Sequence, residues 1–228
     1  IRVVNISAGG DDEQHYLTDP LSQAVERCTA AGITVVCAVG NSGHLPNHPV
    51  VPPASAPSAI AVGGLDDKNS MNRAKRGMYR SSYGPTVDGL QKPEVIAPSI
   101  WVPAPILPNT PTAQQASFLE RLDKSADSEL HQIVRDHPGV DAELDAALDR
   151  PIHTLRQIIT IKLRQENVIT KHYKYVDGTS FSAPIVSSLV AQMIEANPNL
   201  SHYDVDRQGW GVIDPRRSVE TALNFTEN

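Results

Sequence analysis

The stretch Val176-Asp177-Gly178-Thr179-Ser180-Phe181-Ser182-Ala183-Pro184 sets a serine among small residues at the head of an apolar run. Behind it Ile185, Val186, Leu189, Val190, Met193 and Ile194 recur at helical spacing. That spacing predicts a helix with Ser180 at its N-terminus, where free N–H groups and the helix dipole favour developing negative charge. Pro184 is read as part of the first turn, where a missing N–H costs nothing. Spacing alone leaves two roles open, a helix cap at Thr179 or Ser180 and a nucleophile at Ser180. Gly40-Asn41-Ser42-Gly43 closes the apolar run Ile33 to Val39. An asparagine at the carboxyl end of a strand is either a turn residue or a neutral hydrogen-bond donor suited to an oxyanion.

Gly178-Thr179-Ser180-Phe181-Ser182-Ala183-Pro184 resembles the segment that carries the nucleophile of the subtilisin-like serine proteases, the S8 or subtilase family, with Ser180 in the nucleophile's place. Ile33-Thr34-Val35-Val36-Cys37-Ala38-Val39-Gly40-Asn41-Ser42-Gly43 is similar to the family's buried strand and oxyanion-hole asparagine, which falls on Asn41. Val3-Val4-Asn5-Ile6-Ser7-Ala8-Gly9-Gly10 resembles the strand whose edge binds the substrate backbone. Further matches run through Ala59-Ile60-Ala61-Val62-Gly63, Lys92-Pro93-Glu94-Val95-Ile96-Ala97-Pro98 and Gly209-Trp210-Gly211-Val212-Ile213-Asp214, in the family's order. The resemblance implies a serine endopeptidase that hydrolyses peptide bonds through an acyl-enzyme. It implies that Ser7, Ala8 and Gly9 pair with a polypeptide substrate, while Ala38, Val39 and Gly40 wall a side-chain pocket with the segment from Val51 to Ala54 near its base.

The family's Asp and His fall on no matching block, and none of the eight histidines takes the catalytic position. A serine without a general base is a weak nucleophile. The expectation is therefore that both residues lie on a segment preceding Ile1, a required partner of this chain, and that residues 1–228 alone are inert. The reading from a different class is a catalytically inactive, peptide-binding or assembly domain on the same scaffold.

A formal charge of −6 gives no case for nucleic-acid binding, and no stretch reaches transmembrane length. Cys28 and Cys37 form no disulfide framework and read as inert thiols. No cofactor is required; structural calcium is a family-based expectation at most, for acidic loops such as Asp11-Asp12 and Asp66-Asp67. Secretion is likewise favoured only by the resemblance.

These residues need a frame. The expected fold is α/β, a subtilisin-like, mostly parallel sheet covered by helices, incomplete at its N-terminal side and carrying a helical insertion. Residues 1–100 form the first part of the core, 101–173 the mainly helical insertion, and 174–228 the nucleophile helix and last helix. Residues 1–7 read as a central parallel strand. Asp19-Pro20 opens a helix with Leu21, Ala24, Val25 and Cys28 on its buried face. Ser99 stands where the family usually has glycine, which predicts a less contorted or shifted backbone there. The insertion shows helical patterns over 114–122, 126–137 and 142–167, the last interrupted at Pro151. Its apolar faces are expected to need the protease body, a partner or another copy. Trp210 reads as core.

Overall fold

The computed structural model describes residues 1–198, 211–212 and 214–224; Trp210 lies outside them. Along the chain run β1 (Val3–Ile6), α1 (Pro20–Ala30), β2 (Thr34–Ala38), β3 (Ile60–Asp66), β4 (Gly77–Met78), β5 (Gly84–Pro85), β6 (Gln91–Lys92), β7 (Val95–Pro98) and β8 (Val102–Pro105). There follow α2 (Pro111–Lys124), α3 (Asp127–Arg135), α4 (Ala142–Ala146), α5 (Ile152–Gln165), β9 (Val168–Thr170), β10 (Tyr173–Val176), α6 (Thr179–Ala196), β11 (Gly211–Val212) and α7 (Pro215–Asn224). They divide into two compact units, Ile1–Val102 with Asp177–Asn228, and Pro103–Val176.

In the first unit the strands take the order β1-β2-β3-β7-β11, each neighbour parallel, with β4 antiparallel on β3. This is the mostly parallel α/β sheet expected. Period-2 alternation divides the apolar run of β2 between two faces. Val35, Cys37 and Val39 pack with Val25 of α1 and with Val50, Ala59 and Ala61. Val36 packs on the other face with Val62, Ala97 and, from α6, Ala183 and Val186. Burial on both faces is why β2 reads as an unbroken hydrophobic run. α1 starts as anticipated: Asp19 accepts from Ser22 N–H at 2.6 Å, and Pro20 fills the first position. Within the described residues β1, read from the sequence as a central strand, ends the strand order with β2 as its one neighbour, and Val3, Val4 and Ile6 are half-buried.

The second unit buries its own apolar surface. Leu119 and Leu122 of α2, Leu130 and Val134 of α3, Leu144 of α4, and Leu155 and Ile159 of α5 are all fully buried in one cluster. The apolar faces that were expected to need an outside surface therefore meet one another. Arg156 ties the helix ends, donating to the carbonyls of Leu122 (3.0 Å) and Ser125 (2.8 Å) and to the Asp127 carboxylate (2.6 Å). The three-stranded sheet of this unit, in the order β8-β10-β9, has no counterpart in the helical reading. β8 lies at its edge, where Pro103 and Pro105 are tolerated because edge positions need fewer ladder N–H donors.

Candidate active site

α6 begins after Gly178, whose φ of 132° and ψ of 149° belong to a region open essentially to glycine alone. Gly178 N–H donates to the Ser99 carbonyl at 2.7 Å. Gly178 has no side chain to cap the helix, so the cap comes from elsewhere. Thr179 N–H donates to Asn41 Oδ1 at 2.8 Å, and Thr179 Oγ1 accepts from Gly40 N–H at 3.2 Å. Thr179 is fully buried, and its hydroxyl hydrogen is placed to reach Asn41 Oδ1 (3.1 Å) or the Gly40 carbonyl (3.3 Å). An amide held by its oxygen leaves its Nδ2 hydrogens as the free donors. Asn41 thus keeps its donor end for another acceptor, beside the helix N-terminus.

Ser180 is the second residue of α6 and half-buried. Among the described residues no group hydrogen-bonds its Oγ. Ser182, the other serine of the motif, is fully buried, with its hydroxyl at 3.2 Å from the carbonyls of Ala97 and Pro98. It belongs to the scaffold. Pro184 is the sixth residue of the helix rather than part of its first turn. It therefore removes the N–H that would reach the carbonyl four residues back, that of Ser180. Ser7 Oγ fills the gap, donating to the Ser180 carbonyl at 2.9 Å. Asn5 Nδ2 donates to Ser7 Oγ at 3.1 Å, and Ser187 Oγ to Asn5 Oδ1 at 3.1 Å, so the end of β1 is stitched along α6.

Ser7, Ala8 and Gly9 are exposed beyond β1. Val51 and Pro52 lie against them: Gly10 N–H donates to the Pro52 carbonyl at 2.8 Å, and a Cβ on Gly9 would stand 3.2 Å from Val51 Cγ2. Ala38 is half-buried, whereas Val39 is 1% exposed with its side chain in the core, so Val39 can offer only backbone to a substrate. Gly40 has φ 107°, and a Cβ there would meet Ser82 Oγ at 2.8 Å. Ser99, the departure from glycine, stays out of the left-handed region; Trp101, two residues on, enters it at φ 62°.

The segment from Tyr79 to Ser82 supports both halves of the site. Ser82 N–H donates to the Gly40 carbonyl at 3.0 Å, and Gly43 N–H to the Arg80 carbonyl at 3.0 Å. Ser81-Ser82-Tyr83-Gly84 is one of the blocks that resemble the family, but the sequence reading missed the contacts of Tyr79, Arg80 and Ser82 and the side-chain roles of Thr179 and Ser7. Pro184, four residues after Ser180, was the one local signal that an outside donor was needed.

Other chemistries find less here. Burial pushes the Cys37 thiol up to about 12, despite the Lys92 charge that draws it down, so this sulfur is no nucleophile. His15 Nδ1 lies 2.9 Å from Asp88 Oδ1 and His48 stacks on Tyr83; neither reaches Ser180. Among the described residues no group of three or more His, Cys, Asp or Glu is placed to hold a metal, and no helix is long and apolar enough to cross a membrane. Asp66 pairs with Lys68, and Asp67 Oδ1 accepts from Asn69 N–H at 2.8 Å.

Comparison with known proteins bears on the family of the chain. The serine protease AprX of Bacillus subtilis (strain 168) is 27% identical over 208 residues, covering 90% of this chain and 36% of AprX. Subtilisin DY of Bacillus licheniformis is 37% identical over 112 residues, covering 49% of this chain and 35% of that protein. The chain thus spans about a third of the length of each. An S41 psychrophilic protease structure aligns over 89% of this chain and 46% of its own, at 19% identity and a TM-score of 0.49. The model of the Subtilase family matches residues 1–209, and the chain belongs to that family of serine proteases.

Proposed function

We propose that residues 1–228 are the nucleophile-bearing part of a serine endopeptidase whose Asp and His lie on polypeptide outside these residues. Ser180 Oγ attacks the scissile carbonyl carbon and passes its proton to the His, which the Asp orients. The resulting oxyanion accepts hydrogen bonds from Asn41 Nδ2 and Ser180 N–H. Collapse expels the amine, which takes the proton from the imidazolium, and water then releases the acyl group by the same steps in reverse. A polypeptide substrate would lie along Ser7, Ala8 and Gly9, its side chain facing Ala38 and Gly40, with Val39 contributing backbone. No cofactor enters this scheme, and secretion follows only by analogy with the family.

The observation that carries the reading is the bond from Thr179 N–H to Asn41 Oδ1, which sets a neutral amide donor beside the serine at a helix N-terminus. The test is labelling by a serine-directed fluorophosphonate. The full-length protein should label at Ser180, Ser180→Ala should abolish labelling, and residues 1–228 alone should not label. Labelling of another serine would overturn the assignment. A folded full-length protein that neither labels nor cleaves an unstructured protein would establish the inactive peptide-binding or assembly domain instead.

A further inference from the structure

We infer that Asp177, clamped by Tyr79 and Arg80, is a positioning residue that holds the Gly178 turn and thereby aligns Ser180 with Asn41. The inference rests on Ser180 being the nucleophile. Asp177 Oδ2 accepts from Tyr79 Oη at 2.9 Å and from Arg80 Nη2 at 3.0 Å. Arg80 Nε donates to the same phenol oxygen at 3.3 Å, and the guanidinium carbon stands 5.5 Å from the Tyr79 ring centroid. Each member therefore touches the other two.

The need for such a clamp lies one residue on. Glycine enters the region Gly178 occupies without strain and leaves it as easily, so what holds the turn there is the contacts of its neighbours. Gly178 is pinned at its own N–H by Ser99 and beyond it by the Thr179 to Asn41 bond. Asp177 supplies the pin on the preceding side. The residues that grip it also belong to the segment whose backbone holds Gly40 and Gly43, on either side of Asn41. One segment thus fixes the turn before the nucleophile and the loop bearing the oxyanion donor. Releasing Asp177 lets Gly178 leave that region and moves Ser180 against Asn41. Small misplacements of this kind lower the rate of the chemical step by up to about a hundredfold while leaving the binding cleft in place.

An exposed ion pair with no further role is the competing account, since Asp177 and Arg80 have side chains 45% and 50% exposed and water screens their attraction. Tyr79, only 9% exposed, is the anchor that argues against it. The experiment measures kcat and KM on a peptide substrate and the fluorophosphonate labelling rate, in the full-length protein. Asp177→Ala should lower kcat and labelling about tenfold with KM within about twofold. Asp177→Asn, which keeps an acceptor for both donors, should recover most of the loss. Tyr79→Phe should lower kcat about threefold alone, and not at all in the Asp177→Ala background, because the contact is already gone. If Asp177→Ala does not fold, Tyr79→Phe alone decides. Unchanged kcat in a folded variant, with or without a lower melting temperature, overturns the positioning role. Persistent labelling of Ser180→Ala would instead overturn the nucleophile assignment and leave a distinct signature.

Discussion

Replacing Ser7 by Ala and Pro184 by Ala, singly and together, tests whether the Ser7 hydroxyl substitutes for a helix N–H. Ser7→Ala removes a donor to the Ser180 carbonyl, whose usual helical partner four residues on is replaced by Pro184. A net hydrogen bond contributes about 1 kcal/mol, and because Ser7 is exposed and water can partly replace it, the expected loss is about 0.5–1 kcal/mol. With a urea slope of about 2 kcal/mol/M, the unfolding midpoint should fall by about 0.3–0.5 M. Pro184→Ala restores an N–H four residues beyond Ser180, at an exposed position where alanine crowds nothing. In that background Ser7→Ala should shift the midpoint by less than about 0.2 M, because the carbonyl now has its helical partner. Unfolding is followed by circular dichroism in the full-length protein carrying Ser180→Ala, which retains the backbone carbonyl and suppresses self-digestion. Equal midpoint shifts in both backgrounds would refute the reasoning.

Asn41 has two ends with two duties, and its variants separate them. Asn41→Ala should lower kcat by about 10²–10³ and also destabilise by about 1–3 kcal/mol through the stranded Thr179 N–H. Asn41→Asp keeps the acceptor and loses the donor, so the rate should fall with far less loss of stability; a rate matching wild type would remove Asn41 from the oxyanion hole. Cys37 should resist alkylation at pH 8 in the folded protein and react once urea unfolds it, as read by peptide mass; rapid native-state modification would contradict its burial. Burial pushes the Asp177 carboxyl up, but hydrogen bonds from Tyr79 and Arg80 outweigh it and hold it below the usual carboxylate range. Its contribution to stability is therefore present above the unfolded-state pKa of about 3.9 and lost as pH falls through the lower folded value. Asp177→Asn should flatten that part of the acid limb, and an unaltered pH dependence of the unfolding midpoint would count against the clamp.

Much of the frame was legible because its signals are local. The apolar period of α6, the Asp19-Pro20 opening of α1 and the doubly buried run of β2 each need only neighbouring residues. The serine's surroundings were not. The cap of α6 comes from Asn41, 138 residues away, and no scan for a capping side chain next to the helix could locate it. Pro184 was misplaced because the helix starts at Thr179 rather than within the proline's own turn. β9 and β10 span three and four residues, too few for alternation to declare itself. In the second unit, periodicity revealed apolar faces over α2 to α5 but carried no information on what would cover them.

The order of elements has a consequence for synthesis. The face of the sheet formed by Val36, Val62 and Ala97 is closed by Ala183 and Val186 of α6, and about 75 residues of the second unit are made in between. At roughly 5–20 residues per second, the ribosome leaves that face waiting for roughly 4–15 s after β7 emerges. The second unit, meanwhile, has a cluster drawn from its own helices and can collapse as it appears. Nascent chains halted between β7 and α6 should accordingly be the ones that bind a chaperone recognising exposed apolar strands, and extension past Val186 should release them.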